Sequence, residues 1–396
     1  MMLLNPLAFV LFGLAGIGLL AVLLQLFALR AHLRPAAPVA AIRPGISVLK
    51  PLCGVDDDLL ANLELFAHLD YPQYEVLLGV KDVRDPAYPV ARWAEQLWPA
   101  VMRVVVQRGE PGLNPKVNQL ITLSDFARYD IFVVSDSNIR VSRNYLSEIA
   151  AHFEEPRVGL VTHPLAGAGE QRLGALLDNL YLTTYIGPGV VAAKRLLGKD
   201  FVVSKSMALR RDDLRALGGF EAVKDVLAED YVTGRLVVEK LGKLVAIARS
   251  PVTNVSKYRR VSEFVARYAR WGVLQRQIVG LPVYFVELLL NPVFFASLGL
   301  ILMRDQLGLT LWALCALTKA LLDSFAAQKL RGGAFQWSLI PFVPLKDILA
   351  VASWAYGLLN NTVTWRGNRL LVLPGSQLQP IAPAWPSPLE GKASRG

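Results

Sequence analysis

Residues 5–29 contain no charged side chain and almost no polar one. At 1.5 Å per residue, a helix of roughly 24 such residues covers a hydrocarbon core of about 30 Å. A membrane span is therefore the first element this chain has to accommodate. No basic segment precedes it and no small-residue cleavage site follows, which favours a retained span over a signal peptide. Arg30, His32, Arg34 and Arg43 lie beyond it. Basic flanks stay on the cytoplasmic side, so roughly 240 downstream residues are expected there. Pro35, Pro38 and Pro44 stiffen an Ala-rich linker, and residues 1–44 form one unit. The whole chain of 396 residues is 53% hydrophobic, with a mean hydropathy of +0.38 that points to further spans. Cys53, Cys315 and four scattered histidines offer neither a disulfide framework nor a zinc spacing. The net charge of +10 does not indicate nucleic acid as a partner, because no run of clustered Lys and Arg interleaved with aromatics is present. Basic residues gather beside apolar segments, as expected near an anionic leaflet.

Residues 45–255 alternate strand and helix patterns. Strands are expected at 46–49, 74–80, 101–106 and 131–135, and helices at 57–69, 86–98 and 116–127. That order predicts an α/β domain with a parallel, Rossmann-like sheet. The first strand is followed by no Gly-x-Gly-x-x-Gly, and no phosphate loop ending in Gly-Lys-Ser/Thr occurs, which disfavours dinucleotide and P-loop enzymes. The run 131–135 breaks at once into Asp136-Ser137-Asn138. Open α/β sheets bind ligands beyond the carboxyl ends of their strands. Hard oxygens from Asp136 and Asn138 suit Mg²⁺ or Mn²⁺ there, although the same triplet also serves as a turn or helix cap.

Three further clusters fall in this segment. Lys81-Asp82 ends the second strand, with Asp82 placed to hold a uracil or ribose edge. Asn114-Pro115-Lys116 opens a helix whose amino end and Lys116 can face a diphosphate; Asn114 and Pro115 are equally a structural cap. Glu229-Asp230 opens another helical run, where two acids would also favour the helix dipole.

Residues 256–280 are basic and aromatic, the pattern of an interfacial helix. Arg267, Arg270 and Trp271 share one face at i, i+3 and i+4. Two arginines can clamp a diphosphate while the ring stacks on sugar or acceptor. Within 281–373, spans are expected at 282–303 and 307–326, with Lys319 and Asp323 close enough to pair. Residues 337–359, interrupted by Pro341, Pro344, Lys346 and Asp347, read as re-entrant or interfacial. The Pro-rich tail 374–396 reads as disordered.

Taken together, Asp82, Asp136, Asp230 and Arg267-x-x-Arg270-Trp271 resemble the ceramide glucosyltransferases, membrane-bound inverting enzymes. The blocks Lys50-Pro51-Leu52-Cys53-Gly54-Val55-Asp56, Asn114-Pro115-Lys116-Val117-Asn118, Asp136-Ser137-Asn138, Ala228-Glu229-Asp230-Tyr231 and Trp365-Arg366-Gly367 follow the family's order, so the likeness covers about residues 45–369. One departure concerns Tyr185-Ile186-Gly187-Pro188-Gly189, which stands where the animal enzymes carry a His-Pro pair. Bacterial transferases that glycosylate hopanoids share the same aspartates.

The resemblance implies a GT-A nucleotide-sugar fold between one N-terminal and two to three C-terminal membrane segments. It implies a UDP-sugar donor, a ceramide-like membrane lipid acceptor and a divalent cation at Asp136 and Asn138. Asp82, Lys116, Asp136 and Glu229 would bind the nucleotide sugar. Asp230 would be the general base, with Glu229 its competitor, and Arg267, Arg270 and Trp271 would complete the catalytic set. A processive polysaccharide synthase would need more spans to thread its polymer, and a transporter would not need so large a polar insert.

Overall fold

The computed structural model describes residues 4–203, 205–365 and 368–381. Helix α1 (Leu4–Leu33) leads to β1 (Ile46–Pro51), α2 (Leu59–Ala67), β2 (Tyr74–Val80), α3 (Ala87–Leu97), β3 (Met102–Val106) and α4 (Pro115–Phe126). Then come β4 (Ile131–Ser135), the short β5 (Ile139–Arg140), α5 (Tyr145–Phe153), β6 (Val158–Thr162), β7 (Leu165–Ala168), α6 (Leu173–Tyr181) and α7 (Gly187–Leu197). The domain closes with β8 (Ser206–Arg210), α8 (Arg211–Ala216), α9 (Glu229–Leu241), β9 (Leu244–Ile247) and β10 (Val252–Val255).

The central sheet runs β3-β2-β1-β4-β8-β6-β9. Its inner strands are buried on both faces, which is why they read as unbroken apolar runs. Val48 sits beside Val76 and Val133, and these point to the face covered by Leu63, Phe66 and Ile149. Leu49, Leu77 and Val134 point to the other face, under Val117, Leu120 and Leu123 of α4. Burying each such side chain contributes about 1.5–3 kcal/mol. This is the mixed α/β architecture expected, with one correction. The sheet is not wholly parallel: β8 runs antiparallel to both β4 and β6. After β6 the chain stays at the carboxyl end of the sheet, where α7 packs on α1. The next strand has to start from that end, so Ser206 pairs with Ser135.

Beyond the domain, α10 (Val261–Glu287), α11 (Pro292–Met303), α12 (Gln306–Arg331) and α13 (Val343–Leu359) are followed by a three-stranded sheet of β11 (Thr362–Trp365), β12 (Asn368–Val372) and β13 (Leu378–Pro380). Among the described residues, four helices are long and apolar enough to cross a membrane: Pro6–Leu33, Val261–Leu290, Gln306–Arg331 and Trp337–Leu359. Residues 282–303 are not one span. The basic helix runs on through a kink at Gly280 (φ 77°), Pro282 lies within it, and Pro292 opens a separate α11 of 12 residues. At 1.5 Å per residue, α11 is too short to cross a core of about 30 Å; it packs against α1, where Gly299 admits the Phe12 ring. Residues 337–359 form a short 3₁₀ turn and then α13, with Pro344 in the first helical turn. Their length and composition qualify them for a full crossing, which the re-entrant reading did not require. Gly272 of α10 meets Gly357 of α13 so closely that a Cβ on Gly357 would lie 2.4 Å from the Gly272 carbonyl carbon. Small residues permit such helix crossings.

Residues 374–380 of the tail are structured. β13 pairs with β12, and Gln377 bridges to Val226. Ser376 holds a left-handed backbone (φ 66°), unusual for a side chain with a Cβ. Its carbonyl accepts from Leu227 N at 2.9 Å and its hydroxyl from Ala228 N at 2.8 Å, which keeps it there. Apolar side chains of β12 and β13, Leu370, Val372 and Leu378, seal the contact against Leu227 and Val273. The expectation of disorder for 382–396 lies outside the described residues.

Candidate active site

The carboxyl ends of β1 and β4 and the start of β8 meet at one point, and helices α4 and α9 direct their amino ends towards it. Asn114 caps α4, its side-chain oxygen accepting from Lys116 N at 3.0 Å and Val117 N at 3.2 Å. Its amide group donates to Val226 O at 2.7 Å and to Glu229 at 3.3 Å, tying the two helix starts together. Both of its readings therefore hold: it is a cap, and it positions Lys116.

Lys116 Nζ lies 2.7 Å from Asp136 Oδ1 and 3.1 Å from Glu229 Oε1. Lys205 Nζ takes the other Asp136 oxygen at 2.7 Å and the Asn138 side-chain oxygen at 3.2 Å. Lys50, fully buried at the end of β1, donates to Ser135 Oγ and to the Asp136 carbonyl. Ser137 Oγ donates to Asp56. Burial alone would raise the Asp136 carboxyl; the charges and hydrogen bonds of Lys116 and Lys205 outweigh it and hold this group well below the usual carboxylate range. Lys116 is also penalised by burial, but Asp136 and Glu229 more than compensate and raise it. Lys205 is lowered, because burial and the nearby Arg267 charge outweigh its single carboxylate. Burial pushes Lys50 down to about 7.

Asp230 follows Glu229 in the first turn of α9, half-buried, with its charge bearing on Lys116. The α10 residues approach from the helical bundle beyond the domain. Arg267 is buried, reaches Asp178 at 3.4 Å and lies 5.2 Å from the centre of the Trp271 ring. Asp178 also takes Tyr268 OH at 2.9 Å and Arg259 at 3.3 Å, so this acid orients the whole turn of α10. Arg270 is half-buried and makes no hydrogen bond or ion pair among the described residues. Asp82 stands apart from these groups, at the rim beyond β2, where it accepts from Arg84 N at 2.7 Å. The structure thus gathers Lys116, Asp136, Asn138 and Glu229, brings Asp230 and Arg267 beside them, and leaves Asp82 at the edge.

Asp178 and Lys205 were missed by sequence reasoning, and Lys50 and Asp56 were read only as ends of one family block, without a role of their own. A lysine at the end of an otherwise apolar strand was the one available signal for Lys50. Nothing local marks Lys205, which arrives only because β8 is reversed.

The sequence matches glycosyl transferase family 21 over residues 10–378. The chain belongs to that family. Ceramide glucosyltransferase 3 of Caenorhabditis elegans is 28% identical to this family 21 chain over 350 residues, covering 85% of the chain and 74% of the relative. Ceramide glucosyltransferase 1 of the same organism is 26% identical over 358 residues, covering 85% and 73%. A solved structure of a Pyrobaculum calidifontis mannosyltransferase in complex with GDP-mannose and Mn²⁺ is 17% identical, covering 89% of this chain and 99% of that one at a TM-score of 0.48. The family 21 chain is a glycosyltransferase whose catalytic domain is joined to candidate membrane helices.

Proposed function

We propose that the protein transfers glucose from UDP-glucose to the primary hydroxyl of ceramide with inversion, giving β-glucosylceramide, from a domain on the cytoplasmic side. The observation that carries this is the meeting of Lys116, Asp136, Glu229 and Asp230 at the sheet's carboxyl edge with Arg267 and Trp271 on a helix that can lie in a membrane. Similarity to relatives named ceramide glucosyltransferases supports the same substrates.

Breaking the anomeric C–O bond builds positive charge on the sugar ring and negative charge on the departing diphosphate. Lys116, Arg267 and Arg270 are the fixed cations for that diphosphate. Asp230 removes the proton of the lipid hydroxyl as it attacks the anomeric carbon from the face opposite the leaving group. Glu229 is the weaker candidate for this role, because it is buried and already engaged by Lys116 and Asn114. Asp82 would hold the uridine at the rim, and Trp271 would stack on sugar or acceptor.

Asp136 Oδ2 and Asn138 Oδ1 converge on one cationic group, the Lys205 ammonium. Two hard oxygens around a single cation fit Mg²⁺ or Mn²⁺. Among the described residues no group of three or more His, Cys, Asp or Glu is assembled, so the diphosphate would have to supply further ligands. When bound, the ion neutralises diphosphate charge.

The test is a product assay. Membranes bearing the protein are given UDP-glucose or UDP-N-acetylglucosamine with ceramide or a polyhydroxylated hopanoid, beside an Asp230→Asn control. Glucosylceramide from the unmutated protein alone is the expected result. Product only from the N-acetylglucosamine and hopanoid pair would overturn the substrates and leave the chemistry standing.

A further inference from the structure

The Asp136–Asn138 oxygen pair already holds a cation that belongs to the protein. Lys205 Nζ is 2.7 Å from Asp136 Oδ2 and 3.2 Å from Asn138 Oδ1, while Lys116 takes Asp136 Oδ1 at 2.7 Å. Both carboxylate oxygens are engaged by ammonium groups. A divalent ion cannot reach Oδ2 and the Asn138 oxygen while Lys205 stays, because two cations on one oxygen pair repel each other.

The two lysines are not equivalent in how they are held. Lys116 bridges two carboxylates, Asp136 and Glu229, from the first turn of a capped helix. Lys205 contacts one carboxylate and one neutral amide, just before β8, with Arg267 and Lys50 adding positive charge nearby. If one ammonium leaves, it is Lys205. An incoming diphosphate offers this lysine fresh anionic oxygens, and a divalent ion then takes the two it releases.

We propose that Lys205 is a built-in competitor for the divalent cation, filling the Asp136–Asn138 oxygens until a nucleotide diphosphate draws it away, so that the ion loads with the nucleotide and not before it. The proposal rests on the glycosyl-transfer reading and its divalent ion. Lys205 is here a positioning residue: it controls when the cation enters and takes no part in bond making. Nucleotide and ion then each raise the other's affinity by the same factor, as linkage requires.

The experiment measures Mn²⁺ binding by the full-length, detergent-solubilised, EDTA-treated protein through the electron paramagnetic resonance signal of free Mn²⁺, with and without UDP. The unmutated protein should bind Mn²⁺ roughly tenfold or more tightly with UDP present. Lys205→Met should bind it without UDP roughly tenfold or more tightly than the unmutated protein does, and most of the UDP effect should vanish. Lys205→Arg, which keeps the charge, should restore the unmutated behaviour. Calorimetric UDP binding by Lys205→Met reports that the site is folded; if that variant does not fold, Lys205→Gln carries the same expectation. A folded Lys205→Met whose Mn²⁺ affinity without UDP is unchanged overturns the proposal. Absence of Mn²⁺ uptake by every form, UDP included, overturns both the proposal and the cation reading. Mn²⁺ uptake as expected, with no sugar transferred to any lipid, would support the proposal and overturn the substrate reading alone.

Discussion

Lys319, Lys346, Asp323 and Asp347 inside the helix bundle, and Lys116, Lys205, Asp136 and Glu229 at the sheet edge, are the same inventory of charges in two surroundings. In the bundle, Asp323 accepts from Lys319 and from Lys346 at 2.6 Å, and Lys346 also reaches Asp347 at 3.1 Å and Thr184 at 3.0 Å. No side chain of that group is more than 3% exposed. At the sheet edge the corresponding side chains are 7% to 21% exposed, and Arg267 and Lys50 press further positive charge on them. The bundle cluster is neutral and closed, so its use is to lock α12, α13 and the turn bearing Thr184 in register. The sheet-edge cluster is partly exposed, so its lysines can still be reached by an anion from outside.

The contrast is sharpest in catalysis. Asp230→Asn should reduce kcat by a factor on the order of 10² to 10⁴ while leaving UDP binding near normal, the range expected for a lost general base. Near-normal turnover of a variant that binds UDP would remove Asp230 from that role. Arg270→Ala should lower kcat by about 10²-fold with little change in KM for the nucleotide sugar, because the charge it meets grows in the transition state. A raised KM with unchanged kcat would make it a ground-state contact.

The bundle cluster should answer through stability. Asp323→Ala leaves two buried lysines facing Asp347 alone, and breaking a buried pair in this way costs about 3–5 kcal/mol. A much lower thermal midpoint in detergent is expected, and replacing Lys319, Lys346, Asp323 and Asp347 together by apolar residues of similar size should recover most of it. An Asp323→Ala protein as stable as the original would show that the four charges do not lock the helices.

The smallest effect concerns the anchor beside Lys205. His163 Nδ1 pairs with Ser206 Oγ at 2.8 Å, and burial pushes this imidazole down to about 3 from an ordinary 6.5. Between those values the unfolded chain binds a proton that the folded chain does not. Its contribution is therefore fully present above pH 6.5 and is lost as pH falls through that window, by up to about 1.4 kcal/mol per pH unit. Denaturation midpoints measured from pH 7 to pH 5 should decline, and His163→Asn should flatten the decline. An unchanged slope in that variant would assign the pH sensitivity elsewhere.

Much of the fold was legible because its signals are local. The strands β1 to β4 are largely apolar runs, β1 closed by Pro51 and β4 by Asp136, and Asn114-Pro115 announces the start of α4 before any tertiary contact is known. Asp136, Lys116 and Glu229 were legible for the same reason: each sits where a strand stops or a helix begins. Lys205 was not, because its place depends on the reversal of β8, and reversal leaves no mark within five residues of strand. Asp178 was hidden inside the helical pattern of α6, where nothing distinguishes an acid bound to Arg259, Arg267 and Tyr268 from one facing solvent. The start of the tail, residues 374–380, misled for the opposite reason. Its prolines suggested disorder, while the contacts that order it, between Ser376, Leu378 and the 225–228 turn, are more than a hundred residues apart in sequence.

That last contact has a bearing on biogenesis. The turn that delivers Glu229 and Asp230 is clasped from behind by Ser376, and Leu378 N donates to Asp225 O at 2.7 Å. Ribosomes build chains from the amino end, so all four candidate membrane helices emerge before the clasp exists. A nascent chain can therefore complete all four candidate membrane helices with the start of α9 still unfastened, and that turn is fixed only when β13 is delivered.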